Sequence, residues 1–210
     1  MLTINIVSDV VCPWCYVAYK QLEIALDERK LEAQIKWEPF ELNPWMPPEG
    51  QEISEHLEMK YGPGASKGGG ERMRAIGDEL GITFNRKDGM RIVNTLKAHQ
   101  LLHWAEGFGK QHAFKMALLR TYFTDNRDVS DLNVLVEQAG SVGLNEDEAR
   151  RVASDEAQGV TVRDRTEEFA KRGIMVVPTM IFDGKRVVSG AQGVDAYGRL
   201  LDKLMATPPA

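Results

Sequence analysis

The chain has 210 residues, 43% of them hydrophobic and 27% charged, with a formal charge of −5 and a pI near 5.5. That balance suits one large domain, or a small domain carrying a second as an insertion, with ample apolar material for a core. It lacks the basic footprint of a nucleic-acid binder. No apolar run approaches the roughly 20 residues of a membrane span.

The opening "MLTINIVSDVV" carries no positively charged flank and no small-residue cleavage site, so it reads as a strand, over Thr3–Ser8, rather than a signal peptide. A cytoplasmic location is the resulting expectation. From Pro13 the period changes: Tyr16, Tyr19, Leu22, Ala25 and Leu26 recur at three- and four-residue steps, one face of a helix ending near Lys30. A second strand is expected at Ile35–Phe40, and strand–helix–strand favours parallel pairing.

After the proline-rich "ELNPWMPPEG" the texture turns helical. Helices are expected at Ser54–Tyr61, Gly70–Leu80, Arg91–Phe108, Lys110–Thr124, Asp131–Val142 and Glu146–Phe169, the last broken near Gly159. Asn145 with Glu148 resembles a capping box, and Gly173 suits the end of the final helix. "YGPGASKGGG" lacks the ending of a phosphate loop and reads as a mobile connector. "TMIF", Asp183-Gly184 and "KRVVS" then form an expected hairpin with a type I′ turn, before a last helix over Val194–Leu204 and a proline-rich tail. The order βαβ, helical insertion, ββα divides the chain into 1–50 with 171–210, and an inserted 51–170.

Both cysteines fall in one tetrapeptide, Cys12-Pro13-Trp14-Cys15, between the first strand and the first helix. In a reducing compartment such a pair does chemistry more often than it staples loops. Pro13 suits the first helical position, so free backbone N–H groups and the positive helix end face the Cys12 sulfur and favour its thiolate. Cys15, one turn on, is spaced to close a disulfide and to sit deeper. Cys12 is therefore expected to attack and Cys15 to resolve. A zinc half-site is the competing use of this spacing. Its other half would have to be His99 and His103, which lie far along the chain in a helical segment with no knuckle around them. No metal is expected, and His56 and His112 read as surface or packing residues.

"SDVVCPWCY" together with "VVPTMIFDGKRVVSGAQ" resembles the DsbA family of thioredoxin-fold proteins, an α/β fold with a large all-helical insertion. The resemblance is closest to the FrnE-like branch of dithiol–disulfide oxidoreductases or isomerases, and "GITFN", "NTLKAHQLLHWA" and "ALLRTYFTDNRDVSD" extend it through the insertion. It implies a cis peptide bond at Val177–Pro178 opposite the cysteines, exposing backbone groups to a substrate strand. It also implies a cleft in which Pro13, Trp14, Asn94 and His99 contact substrate, with Phe40, Trp104 and Met180 as further lining. His99 is expected to favour the Cys12 thiolate if it is close and charged. The family often places a buried acid six residues before the first cysteine. Here that position is Ile6, and the nearby Asp9 reads as a helix cap first and a proton carrier second.

Two functions follow from the resemblance. One is a thiol–disulfide oxidoreductase acting on a protein or small-molecule disulfide, with no bound cofactor and with glutathione or a thioredoxin system as reductant. The other is a glutathione-dependent isomerase or transferase of the 2-hydroxychromene-2-carboxylate isomerase or kappa type. In those relatives a serine stands where Cys12 does, and the stretch matching Ser189, Ala191 and Gln192 holds glutathione as co-substrate. Cys15 argues against the second, because conjugation needs no resolving thiol. A monomer or a dimer fits either.

Overall fold

The computed structural model describes residues 1–206. β1 (Leu2–Ser8) leads into α1 (Pro13–Glu28) and then β2 (Ala33–Pro39). The inserted region runs β3 (Gln51–Glu52), α2 (Ile53–Tyr61), α3 (Gly69–Leu80), β4 (Arg91–Ile92), α4 (Leu96–Glu106), α5 (Gln111–Phe123), α6 (Leu132–Ser141), α7 (Glu146–Ala153) and α8 (Glu156–Lys171). β5 (Thr179–Phe182), β6 (Arg186–Ser189) and α9 (Val194–Ala206) complete the described chain. The proline-rich tail lies outside the described residues.

The main sheet has the order β2-β1-β5-β6, with β2 parallel to β1 and the last two strands antiparallel. β1 is buried at every residue from Ile6 to Ser8, as a strand flanked on both edges should be. Ile6 stands opposite Trp37 and Met180, and Val7 opposite Thr179. This register puts Val177 and Pro178, just before β5, at the same end of the sheet as the Asp9–Cys12 turn. The Val177–Pro178 bond is cis, as the resemblance implies. At the other end, Asp183 and Gly184 take positive φ angles of 48° and 68°. Lys185 N–H closes the turn on Phe182 O at 3.0 Å. Asp183 Oδ1 also accepts from Thr3 N–H at 2.9 Å, which ties the hairpin back to β1.

Apolar side chains gather in distinct clusters. One joins the sheet to α1 and α9 through Ile4, Ile6, Leu22, Met180, Phe182 and Tyr197. A second fills the helical region with Leu101, Phe114, Leu118 and Leu135, and draws in Val10, Val11 and Val17 from around the cysteines. The cysteine turn is thus packed into the insertion's core as well as the sheet.

Two expectations need correction. Arg91 and Ile92 are not helical; they pair antiparallel with Gln51 and Glu52, and Ile53 N–H donates to Met90 O. The β-branched Ile92 and Val93 favour extension, and the helix starts only after Asn94 Oδ1 has accepted Leu96 N–H. The break in the long seventh-to-eighth helical stretch falls at Ser154–Asp155, where Asp155 accepts Ala157 N–H and caps α8. Gly159 lies inside α8, buried against α4. Asn145 caps α7 through Glu148 N–H at 2.9 Å, as expected, and Gly173 follows α8 with φ 81°.

Candidate active site

Cys12 is the N-cap of α1, in extended conformation, and Pro13 opens the helix behind it. Both cysteines are free thiols. Cys12 keeps 5% of its surface exposed, whereas Cys15 keeps none. The Cys15 thiol donates toward the Cys12 sulfur, and this contact does most to lower the Cys12 pKa. Burial opposes it, and the Asp9 carboxylate adds to the opposition. The N–H groups of Cys15 and Trp14 point their positive ends at the same sulfur; neither closes a hydrogen bond of full geometry, yet both favour the thiolate. Burial pushes the Cys15 thiol well up, and its contact with Cys12 pushes it further. The pair is therefore asymmetric: the outer sulfur ionises easily and the inner one resists.

Beneath the pair lies a group of buried ionisable side chains. Asp9 is fully buried, and its carboxylate accepts Leu42 N–H at 2.7 Å and His99 Nε2 at 3.3 Å. It does not cap α1, so the helix-cap reading gives way to a buried contact with His99. Burial alone would raise the Asp9 pKa, but His99, Leu42 N–H and Lys115 together hold it below the ordinary carboxylate range. Glu41 is raised, chiefly by burial, and its Oε2 has no hydrogen-bond partner.

Lys115 is fully buried, its Nζ has no hydrogen-bond partner, and it stands 5.1 Å from the centre of the Trp37 ring. Burial pulls its pKa down to about 8, against the charges of Cys15, Asp9 and Cys12. The sequence does carry a signal for it. Lys115, Leu118, Leu119 and Tyr122 share one helix face, and that face is buried.

The other expected residues are placed as follows. Trp14 is 38% exposed beside Cys12, with the Arg72 guanidinium 5.9 Å from its ring centre. Pro178 O accepts Gly190 N–H at 2.8 Å, while Val177 packs against a cluster of Val7, Phe169, Ile174 and Ile181. Phe40 packs in that same cluster. Ser189 Oγ bonds Thr179 Oγ1 at 2.9 Å, and the Gln192 amide donates to Ser189 O at 2.6 Å. Ala191 packs between the sheet and insertion clusters. Asn94 donates to Pro44 O at 3.4 Å, and Met180 is wholly buried in the sheet core. His99 meets Asp9 rather than Cys12, and His103 points to solvent. Among the described residues, no three His, Cys, Asp or Glu side chains are grouped to hold a metal ion. His112 is a packing residue: Trp37 Nε1 donates to its Nδ1 at 3.1 Å and Tyr19 Oη meets its Nε2 at 3.1 Å.

A cleft of about 650 Å³ opens along β2, lined by Lys36, Glu38, His103, Trp104 and Glu106, with His99 and Lys115 on its walls. Neither cysteine lines it. Cys12 reaches the surface through the small part of its area that stays exposed. Among the described residues, no helix is long and apolar enough to cross a membrane.

A solved structure described as a probable DsbA oxidoreductase from Streptomyces coelicolor is 30% identical, with a TM-score of 0.91; the match covers 100% of this chain and 93% of that one. The uncharacterized protein YwbO of Bacillus subtilis is 24% identical over 94% of both chains. The cytosolic disulfide reductase DsbM of Pseudomonas aeruginosa, solved with GSH, shares the fold at 18% identity and a TM-score of 0.67, covering 98% of this chain and 100% of that one. The DSBA-like thioredoxin domain matches residues 3–202, nearly the whole sequence. With its cysteine pair at the head of α1 and its helices inserted between the two halves of the sheet, the chain belongs to the DSBA-like thioredoxin family of thiol oxidoreductases.

Proposed function

We propose that the protein is a dithiol–disulfide oxidoreductase in which Cys12 is the nucleophile and Cys15 the resolving thiol. The observation that carries this reading is the asymmetry of the pair: a marginally exposed sulfur with a lowered pKa in contact with a wholly buried one whose pKa is raised. The Cys12 thiolate attacks a substrate disulfide, forming a mixed disulfide and releasing one substrate thiol. Cys15 then attacks the Cys12 sulfur, closing the protein disulfide and releasing the second thiol. Substrate is reduced by two electrons and the protein is oxidised by two. Glutathione or a thioredoxin system in the cytoplasm would restore the dithiol. The low exposure of Cys12 favours a small or extended disulfide. Trp14 and the Val177–Pro178 backbone would flank it, and residues 51–170 would act as an inserted roof over the 1–50 and 171–210 domain. The isomerase or transferase reading shares the fold, but Cys15 would have no part in that chemistry.

Serine substitutions test this. Cys12→Ser should abolish reduction of a model disulfide, and Cys15→Ser should accumulate a mixed disulfide visible by mass spectrometry. Full activity in both variants would overturn the reading.

A further inference from the structure

We propose that Lys115 takes the proton that Cys15 gives up when it resolves the mixed disulfide, and that this proton leaves through the cleft along β2 rather than past Cys12. The inference rests on the oxidoreductase reading above.

Cys15 is completely buried, so its proton needs an acceptor inside the protein. Asp9 is a poor one. Both its oxygens are engaged, by Leu42 N–H and His99, and those partners favour its ionised form. Tyr122 donates its hydroxyl to Arg91 O. Lys115 is the remaining buried group with an unused polar atom that senses both cysteine charges, and it also lines a cleft open to solvent. The other charges around that cleft are paired. Lys36 of β2 meets Glu106 of α4 at 2.6 Å, and Glu38 of β2 is held by Arg165 of α8 through two bonds of 2.9 Å. His99 and His103 of α4 complete the titratable groups there. The field at Lys115 is therefore set mainly by Asp9 and the cysteines.

The redox step itself changes that field. A Cys12 thiolate helps keep Lys115 protonated; once Cys12 is tied into a mixed disulfide, that charge is gone and the ammonium is less favoured. The balance at the lysine shifts toward the neutral amine at the stage when a base is needed. Cys15–SH then passes its proton to Lys115, giving a thiolate and an ammonium. The thiolate attacks the Cys12 sulfur, the Cys12–Cys15 bond forms, and the substrate thiolate departs to be protonated by solvent. Lys115 returns its proton to water in the cleft, completing the balance.

An aromatic disulfide such as dithiobis(nitrobenzoate) separates the steps, because each coloured thiolate is released in turn. The first release reports attack by Cys12 and the second reports resolution by Cys15. Lys115→Met should leave the first within about twofold and slow the second by about 10²-fold at pH 7, with the deficit shrinking as hydroxide takes over toward pH 9. Lys115→Arg keeps a charge that cannot be given up, so it should not restore the second release. An unchanged second phase, a deficit independent of pH, or full rescue by arginine would overturn the proposal. If neither variant folds, the titration of Lys115 in wild-type protein carrying ¹³C-labelled lysine decides. It should move between the reduced protein and a Cys12 mixed disulfide, and a titration blind to that change overturns the proposal. Absence of any second release from wild type would instead defeat the oxidoreductase reading.

Discussion

A lysine buried without a hydrogen-bond partner is held against its preference for water. For Lys115 the native pKa of about 8 lies below the unfolded value of about 10.4. Below pH 8 both states are protonated and the penalty is full. Between those two values the native state loses its proton first, so stability rises with pH, and above them the penalty is gone. Lys115→Met fills a similar volume without the charge. It should therefore stabilise the protein by about 1–2 kcal/mol at pH 7, allowing for the lost attraction to Asp9. The gain should vanish near pH 10, as read from urea unfolding at the two pH values. A residue that lowers stability while speeding turnover is what function accounts for and packing does not. Cys12, Cys15 and Pro178 could be found from sequence because their chemistry is local or carried by motif. The partners of Asp9 and the burial of Lys115 could not, because they arise when α4 and α5 dock against the β1–α1 turn and β2.

Glycines separate elements that hold each other closely from those that merely touch. A Cβ built on Gly159 would meet Leu96 Cδ2 at 3.5 Å, an ordinary van der Waals contact, inside a regular helix. Gly159→Ala should accordingly gain about 0.5–1 kcal/mol from helix propensity, seen as a higher denaturant midpoint with unchanged slope. Gly77→Ala contrasts with it: its Cβ would collide with Ile82 O and the Phe84 ring, so the same change at the end of α3 destabilises. Periodicity located every long helix here, because each buries one face. It missed β3 and β4, whose two-residue lengths carry no period, and it put the α7–α8 break at the glycine instead of the capping aspartate. Local propensity favoured Gly159 as a breaker; packing of α8 on α4 overrides it.

Over the whole molecule, the insertion braces the redox turn. Tyr16 packs against Phe84 and Phe123, Val10 and Val11 enter the helical core, and His99 reaches down to Asp9. The sequence showed that an insertion exists, whereas its grip on the turn depends on contacts far apart in the chain. Burial of the turn, to which the insertion contributes, shifts the ionisation of both sulfurs and so couples global stability to redox state. Cys12 ionises more easily folded than unfolded, so from its native pKa up to the free-thiol value of about 8.5 the unfolded reduced chain binds more protons and stability rises with pH. Cys15 resists ionisation when folded, so above about 8.5 the native state holds the extra proton and stability falls. The oxidised protein has neither titration. Lys115 also senses the cysteine charges, so the comparison is made in Lys115→Met, where the remaining groups largely cancel between the two forms. Urea unfolding of that variant, reduced and oxidised, from pH 5 to 10 should therefore give a stability difference that climbs in favour of the reduced form, peaks near pH 8.5 and then declines. By linkage, every 1.4 kcal/mol of that difference makes the disulfide about 30 mV more oxidising. A difference flat across this range would mean that the fold does not tune the pair.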